Sequence, residues 1–307
     1  MSTLISKTEE HLSNPAVSRR QAYVELTKLR ISVMVLFTFA VAALLSASLA
    51  GTSIGLATFC CALMGMLSIA SSGNAMNMYI ERYSDSLMAR TKGRPLPAQR
   101  LSSTEVATFG AVSFGVGVAF LIAGVNWQTA LCGVANWILY VFIYTPLKRR
   151  TPWNTEIGSI AGAMPVMMGC LAAIETVDLV GWAFFWVLVL WQFPHFMAIA
   201  WKYRHQYRDG GLKMITVTDP TGYSAGRKSV VTGVLLILVS LLPVVALPTL
   251  VHKILFGLIA TALGIYYLKP AIRFWQTPKD ETARSLMLAS LVYLPLYMML
   301  LLAGCLI

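Results

Sequence analysis

Charge is what this sequence has least of. Only 12% of its 307 residues are charged, against roughly 25% in a soluble domain, and only 13 are Asp or Glu. A water-facing surface laced with ion pairs is therefore excluded. The five cysteines (Cys60, Cys61, Cys132, Cys170 and Cys305) show no metal-ligand or redox spacing. All five fall in apolar runs, where they read as small packing residues. The N-terminus lacks a short apolar stretch followed by small residues. It also lacks the acid-poor, Arg-rich pattern of a transit peptide, since Glu9, Glu10 and Glu25 lie within it. A bacterial cell (inner) membrane is therefore expected rather than an organelle.

What remains is apolar: 57% of the chain is hydrophobic. A helix needs roughly 20 apolar residues to cross a bilayer. Candidate runs lie at 31–50, 54–71, 106–124, 130–147, 157–174, 179–201, 229–247, 254–268 and 285–307, and none contains Asp, Glu, Lys or Arg. The expected architecture is an all-α, polytopic membrane helical bundle of about nine transmembrane helices around a central cavity that opens to the cytoplasmic side. Nine spans leave no room for a large soluble part, so residues 1–307 read as one domain with a polar N-terminal segment at 1–27. A net charge of +11 would suggest nucleic acid in a soluble chain. Here it points to basic loops on a membrane face, with the lipid bilayer as partner and no nucleic acid.

With nine spans, 23 of the 24 Lys and Arg residues fall on one side, and only Lys253 is opposite. The positive-inside rule then puts the N-terminus in the cytoplasm and the C-terminus outside. Two segments on the basic side are long, about 72–105 and 202–228, and both mix acids, bases and glycines.

The first contains Asn77, Glu81 and Asp85, spaced by four, which a helix places on one face. Two carboxylates side by side repel unless a cation lies between them. Mg²⁺ favours one or two carboxylates, completed by water and substrate phosphate. Arg90, Lys92 and Arg94 follow, and such bases hold phosphate oxygens. Together these groups suit a diphosphate; the plainer alternative is a solvated helix end with surface ion pairs. Pro95 and Pro97 are expected to end this helix.

This run resembles the intramembrane prenyltransferases, whose first acidic motif is an Asn followed by two Asp at four-residue spacing and then Arg-Thr-x-x-Arg-Pro-Leu; Glu81 stands here for the first Asp, a swap that keeps a metal-binding carboxylate. Here it reads Asn77, Glu81, Asp85, then Arg90-Thr91-Lys92-Gly93-Arg94-Pro95-Leu96. Three further stretches, YTPLKRRTPWN at 144–154, WQFPHFMAIAWKY at 191–203 and GGLKMITVTDPTG at 210–222, resemble the heme-farnesylating branch of that family. The resemblance runs from about Lys28 to the last span. It implies transfer of a farnesyl group from farnesyl diphosphate to a vinyl of heme b, giving heme O. It implies Mg²⁺ on Asn77, Glu81 and Asp85, with heme b as substrate rather than cofactor. A heme A synthase or a terminal oxidase assembly is the implied recipient of the product. One departure stands out: the family's second polar loop carries an acid where Gln206 stands here. Asp209, three residues on, is the nearest substitute, and a second metal site is left open.

Several residues carry two readings. Lys148, Arg149 and Arg150 either hold diphosphate or propionate, or serve topology alone; Lys148 is the one taken as catalytic. Asn154 lines the cavity or caps the next helix. His195 ligates heme iron or bonds a propionate, or is a buried histidine satisfied by its neighbours. Lys28 and Arg30 close the pocket or snorkel to headgroups. Tyr203 and Tyr207 steady a cation with their rings or belong to an interfacial belt. Gly158 and Gly162 form a GxxxG, read as helix packing. The competing functions are prenyl transfer to a quinone precursor, which needs no heme, and transport, which would want polar groups at mid-membrane and long loops on both sides.

Overall fold

A computed structural model gives the structure of the protein over residues 18–306. The polar start, with Lys7, Glu9 and Glu10, lies outside the described residues, as does the side chain of Cys305. The helices are α1 (Arg19–Leu26), α2 (Leu29–Leu49), α3 (Leu56–Leu87), α4 (Ser103–Gly124) and α5 (Trp127–Ile138). A π-helical turn (Leu139–Tyr144) leads into α6 (Thr145–Leu147). Then come α7 (Asn154–Ile174), α8 (Leu179–Lys202), α9 (Arg204–Asp209), α10 (Ile215–Thr218) and α11 (Tyr223–Ser240). A 3₁₀ turn (Leu242–Ala246) precedes α12 (Leu250–Gln276) and α13 (Asp280–Leu306). Among the described residues there is no strand, and nine helical stretches are long and apolar enough to cross a membrane.

Local chemistry sets several boundaries. Ser102 and Glu105 form a reciprocal capping box at α4. Asn126 Oδ1 accepts from Thr129 N at 2.8 Å to start α5, and Asp178 Oδ1 accepts from Gly181 N at 2.7 Å to start α8. The short run at 254–268 is the middle of a full-length helix, α12. Pro194 does not interrupt α8, which continues to Lys202; membrane helices tolerate such residues when neighbours satisfy the freed carbonyl.

Two boundaries correct the sequence reading. The second apolar run ends at Ser71, but α3 continues to Leu87, so the first polar stretch is helical for half its length. The helix has ended before Pro95 and Pro97, which sit in the turns that follow. Hydropathy marks where lipid contact stops; the helix goes on because protein partners replace lipid around Asn77, Glu81 and Asp85, all of them buried. Among the cysteines, Cys170 is buried as expected, but Cys60 is exposed.

The core has two main parts. One joins α2, α3, α4, α5 and α7 around Phe39, Met66, Leu121 and Met168. The other joins α2, α7, α8, α11, α12 and α13 around Phe184, Tyr267, Phe274 and Tyr293. Helices α2 and α7 belong to both and form the seam. Gly169 permits it, because a Cβ there would lie 2.5 Å from the Phe39 carbonyl oxygen. Gly158 and Gly162 do pack closely, against the Tyr144 ring and the Gln192 amide. A smaller cluster of Ala22, Leu26, Ala75, Met78, Leu96, Leu101 and Val106 lays α1 and the first loop against α3 and α4.

Candidate active site

The last turns of α3 carry the acids inward, and each meets a cation from elsewhere in the chain. Glu81 is 7% exposed and Asp85 fully buried. Lys148, just past α6, donates from Nζ to Glu81 Oε1 at 2.8 Å. Arg94, from the loop after α3, donates to Asp85 Oδ2 at 2.6 Å. Lys28 donates to Asn77 Oδ1 at 3.0 Å, and Asn77 Nδ2 donates to Thr145 Oγ1 at 3.2 Å. Lys28 sits at the break between α1 and α2 in the left-handed region, with φ 46°. A lysine held there is strained, and its side chain reaches Asn77. Three separate segments thus converge on three side chains spaced by one helical turn.

The convergence is locally built. The π turn shifts the helical register, so that Thr145 Oγ1 donates to the Tyr140 carbonyl at 2.8 Å while accepting from Asn77. The Tyr144 ring lies under Lys148, with Nζ 4.6 Å from its centroid, and the absence of a side chain at Gly158 makes room for that ring. Burial works against the charge on Lys148. The Glu81 carboxylate outweighs it and holds the ammonium above the ordinary lysine range.

Asn77, Glu81, Asp85, Arg94, Lys148 and Lys28 thus form one cluster. Arg149 joins its edge, donating to Ser84 Oγ from Nε at 2.9 Å and from its terminal NH₂ at 2.5 Å. Arg90 lies apart from the acids, its guanidinium 4.6 Å from the Tyr203 ring centroid and 5.7 Å from that of Tyr207. The two tyrosines therefore hold a cation with their rings, one from the protein itself. Gln206, where the resemblance leads one to expect an acid, accepts from the Arg90 backbone N–H at 3.0 Å and ties the two polar loops together. Asp209 is exposed and borders a hollow of about 260 Å³ with Tyr83, Leu87 and Arg149, on the far side of α3 from Glu81. Lys92 and Arg30 are exposed. Asn154 is buried and donates to the carbonyls of Thr151 at 2.7 Å and Lys213 at 3.2 Å, bracing loop against loop. His195 Nδ1 is 2.7 Å from Ser290 Oγ, with its ring stacked on Trp191, so it is satisfied between α8 and α13.

Sequence reasoning missed Thr145, Tyr144 and Ser84. The first two lie in the 144–154 stretch, but nothing in their spacing announces a π turn. Among the described residues, no group of three or more His, Cys, Asp or Glu converges as a ready metal centre. The cluster nonetheless fits a divalent cation of the Mg²⁺ kind, which needs few carboxylates. Asp85 Oδ1 is buried with no hydrogen-bond partner, and an orphaned carboxylate oxygen in a dry place calls for a ligand.

A bundle of nine spans with a buried acid–amide face ringed by cations defines a class. Residues 35–301 match the UbiA prenyltransferase family, and the chain belongs to that family. Its relatives include a protoheme IX farnesyltransferase of Rhodopirellula baltica, 38% identical over 89% of this chain and 96% of that one. Another, of Christiangramia forsetii, is 35% identical over 95% of both chains. Among solved structures, a digeranylgeranylglyceryl phosphate synthase shares the fold with a TM-score of 0.76 at 15% identity, covering 94% of this chain and 98% of that one. A UbiA homolog from Archaeoglobus fulgidus, bound to DMAPP and Mg²⁺, does so with 0.65 at 14% identity, covering 90% and 98%.

Proposed function

We propose that this protein transfers the farnesyl group of farnesyl diphosphate to a vinyl side chain of heme b, giving heme O and releasing diphosphate. The observation that carries the reading is the buried cluster on α3. Two carboxylates and an amide share one face, each already matched to a cation, and one carboxylate oxygen is left without a partner. Near-full-length similarity to relatives named protoheme IX farnesyltransferase supports the choice of substrates.

The residues act as follows. Arg94, Lys148 and Lys28 are held near the acids and turn their remaining donors to the diphosphate oxygens, with Arg149 at the edge. Asn77, Glu81 and Asp85 would hold Mg²⁺, which would supply positive charge to offset that of the departing diphosphate. The C1–O bond of farnesyl diphosphate breaks and its electron pair leaves with the diphosphate. The vinyl π pair forms the new C–C bond to the allylic cation, and water closes the resulting cation with loss of a proton. Burial of the cluster keeps bulk water from the allylic cation. The farnesyl tail lies among the spans, where each buried CH₂ contributes about 0.8 kcal/mol. The basic end of the bundle faces the cytoplasm of a bacterial cell, with the C-terminus on the opposite side. His195, Asn154, Tyr203, Tyr207, Arg90, Lys92, Arg30 and Asp209 lie outside the buried cluster, and any contact they make is with the outer parts of the substrates. A heme A synthase or terminal oxidase assembly would receive the product.

The test is direct. Membranes containing the protein, given heme b, farnesyl diphosphate and Mg²⁺, yield a farnesylated heme detectable by mass. Membranes with equal amounts of the Asp85→Ala protein yield none. Wild-type levels of product from Asp85→Ala would overturn the metal assignment, and prenylation without heme would move the acceptor to a quinone precursor.

A further inference from the structure

Heme b carries its two propionates on the edge opposite its two vinyls. A pocket that brings a vinyl to the diphosphate must therefore hold the carboxylate edge away from Glu81 and Asp85. The chain leads from that cluster to a second one. Lys148 pairs with Glu81; Glu156, in the first turn of α7, pairs with Lys228 of α11. Helix α11 packs on α8 and α12, whereas α3 packs on α4, so the two lysine–glutamate pairs are built on different helices.

The surroundings of Lys228 are aromatic. Its Nζ lies 5.3 Å from the Trp153 ring centroid and 5.8 Å from that of Phe193. Phe193 is buried in the core, while Trp153 is 67% exposed, a large ring with an open face. Glu156 occupies one of the three donors of the ammonium. Its other oxygen, Oε2, is buried with no hydrogen-bond partner. The Lys228 ammonium thus keeps two donors free, next to an exposed indole ring suited to a flat apolar macrocycle.

We propose that Lys228 binds a propionate of heme b, with the exposed Trp153 ring against the macrocycle, Phe193 backing the ammonium from the core, and Glu156 positioning it. This rests on heme b being the acceptor. A carboxylate arriving beside Glu156 meets a like charge, so Glu156 limits how tightly the propionate is held and favours release of the product.

The experiment titrates heme b, followed by its absorbance, into the full-length protein in detergent, and repeats the titration with heme b dimethyl ester. Lys228→Gln should weaken heme b about tenfold, the loss expected when a hydrogen bond to a charged group is removed. The ester should bind wild type and variant alike, the KM for farnesyl diphosphate should not change, and Lys228→Arg should recover most of the affinity. Glu156→Gln should bind heme b at least as tightly as wild type. Equal losses for heme b and its ester, no loss for either, or the same loss in Glu156→Gln as in Lys228→Gln would overturn the assignment. A wild-type protein that binds heme b but forms no farnesylated heme would sink the reaction proposed above, while the ester comparison would still decide the role of Lys228.

Discussion

Two lysine–glutamate pairs lie at the basic end of this bundle, and their surroundings differ. Glu81–Lys148 sits among Asp85, Arg94, Lys28 and Asn77, a crowd of charges in which each acid has a cation. Lys228–Glu156 sits among Trp153 and Phe193, with no second ion pair on either residue among the described residues. The same two residue types therefore serve different ends. In the first place the charges are dense enough to exchange partners with a diphosphate; in the second a single cation stands against rings. Under the proposed function, the donor substrate belongs to the first place and the acceptor to the second.

The largest effect should come from Lys148→Gln. It removes a donor aimed at the leaving group, a loss of roughly 100-fold in kcat. It also leaves Glu81 buried without its cation, at a cost of about 3–5 kcal/mol in stability. Heme b affinity should hold in the fraction that folds, which absorbance titration reads directly. The pH profile adds a check. Glu81 holds the Lys148 ammonium above the ordinary range despite burial. Its stabilising contribution is therefore complete below the unfolded-state value of about 10.4 and is lost only as pH rises through the folded value. Activity from pH 7 to about 10 should show no loss traceable to this lysine. An alkaline decline within that range that Lys148→Arg removes would break the assignment.

Gly169→Ala tests whether the two places share one frame. The added Cβ would lie 2.5 Å from the Phe39 carbonyl oxygen and 2.8 Å from Ala42 Cβ. A backbone oxygen cannot rotate aside, so α7 must shift, at about 1–3 kcal/mol. Helix α7 carries Glu156 and follows the segment that carries Lys148, so the KM values for farnesyl diphosphate and heme b should rise together as the unfolding temperature falls. A rise in only one would show that the halves move independently.

The sequence made the first place legible and the second nearly illegible, for a physical reason. Asn77, Glu81 and Asp85 share one helix, so a fixed spacing reveals their common face. Span number and one-sided charge are likewise local sums over the chain. Lys228 and Glu156 come from different helices, and only tertiary packing brings them together. The π turn that delivers Thr145 to Asn77, and the left-handed backbone of Lys28, are set by the neighbours they pack against. Gln206 shows the limit of a motif: where the resemblance leads one to expect an acid, the structure has an amide accepting the Arg90 N–H. Gln206→Ala should cost about 1 kcal/mol of that contact. The KM for farnesyl diphosphate should then rise roughly fivefold, with heme b binding unchanged. A shift in heme b binding instead would place this loop with the other half.

The smallest effect should fall at the start of α11, the helix that carries Lys228. Asp219 accepts from Thr221 N at 3.1 Å and Ser224 N at 2.8 Å, and also from the Thr221 hydroxyl. Partial burial opposes its charge, but these hydrogen bonds outweigh it and hold the carboxyl below the usual range. A group depressed in this way stabilises the fold above its unfolded-state value of about 3.9 and loses that contribution as pH falls through the folded one. Asp219→Ala should therefore lower stability by about 1 kcal/mol at pH 7, as the loss of a helix-start cap does. The difference in Tm between variant and wild type should shrink toward zero below about pH 4. Heme b affinity should drop slightly in the variant, because Lys228 rides on the loosened first turns, while the KM for farnesyl diphosphate stays put. If farnesyl diphosphate binding weakens as much as heme b binding, α11 serves the whole site, and the division between a charged donor half and an aromatic acceptor half fails.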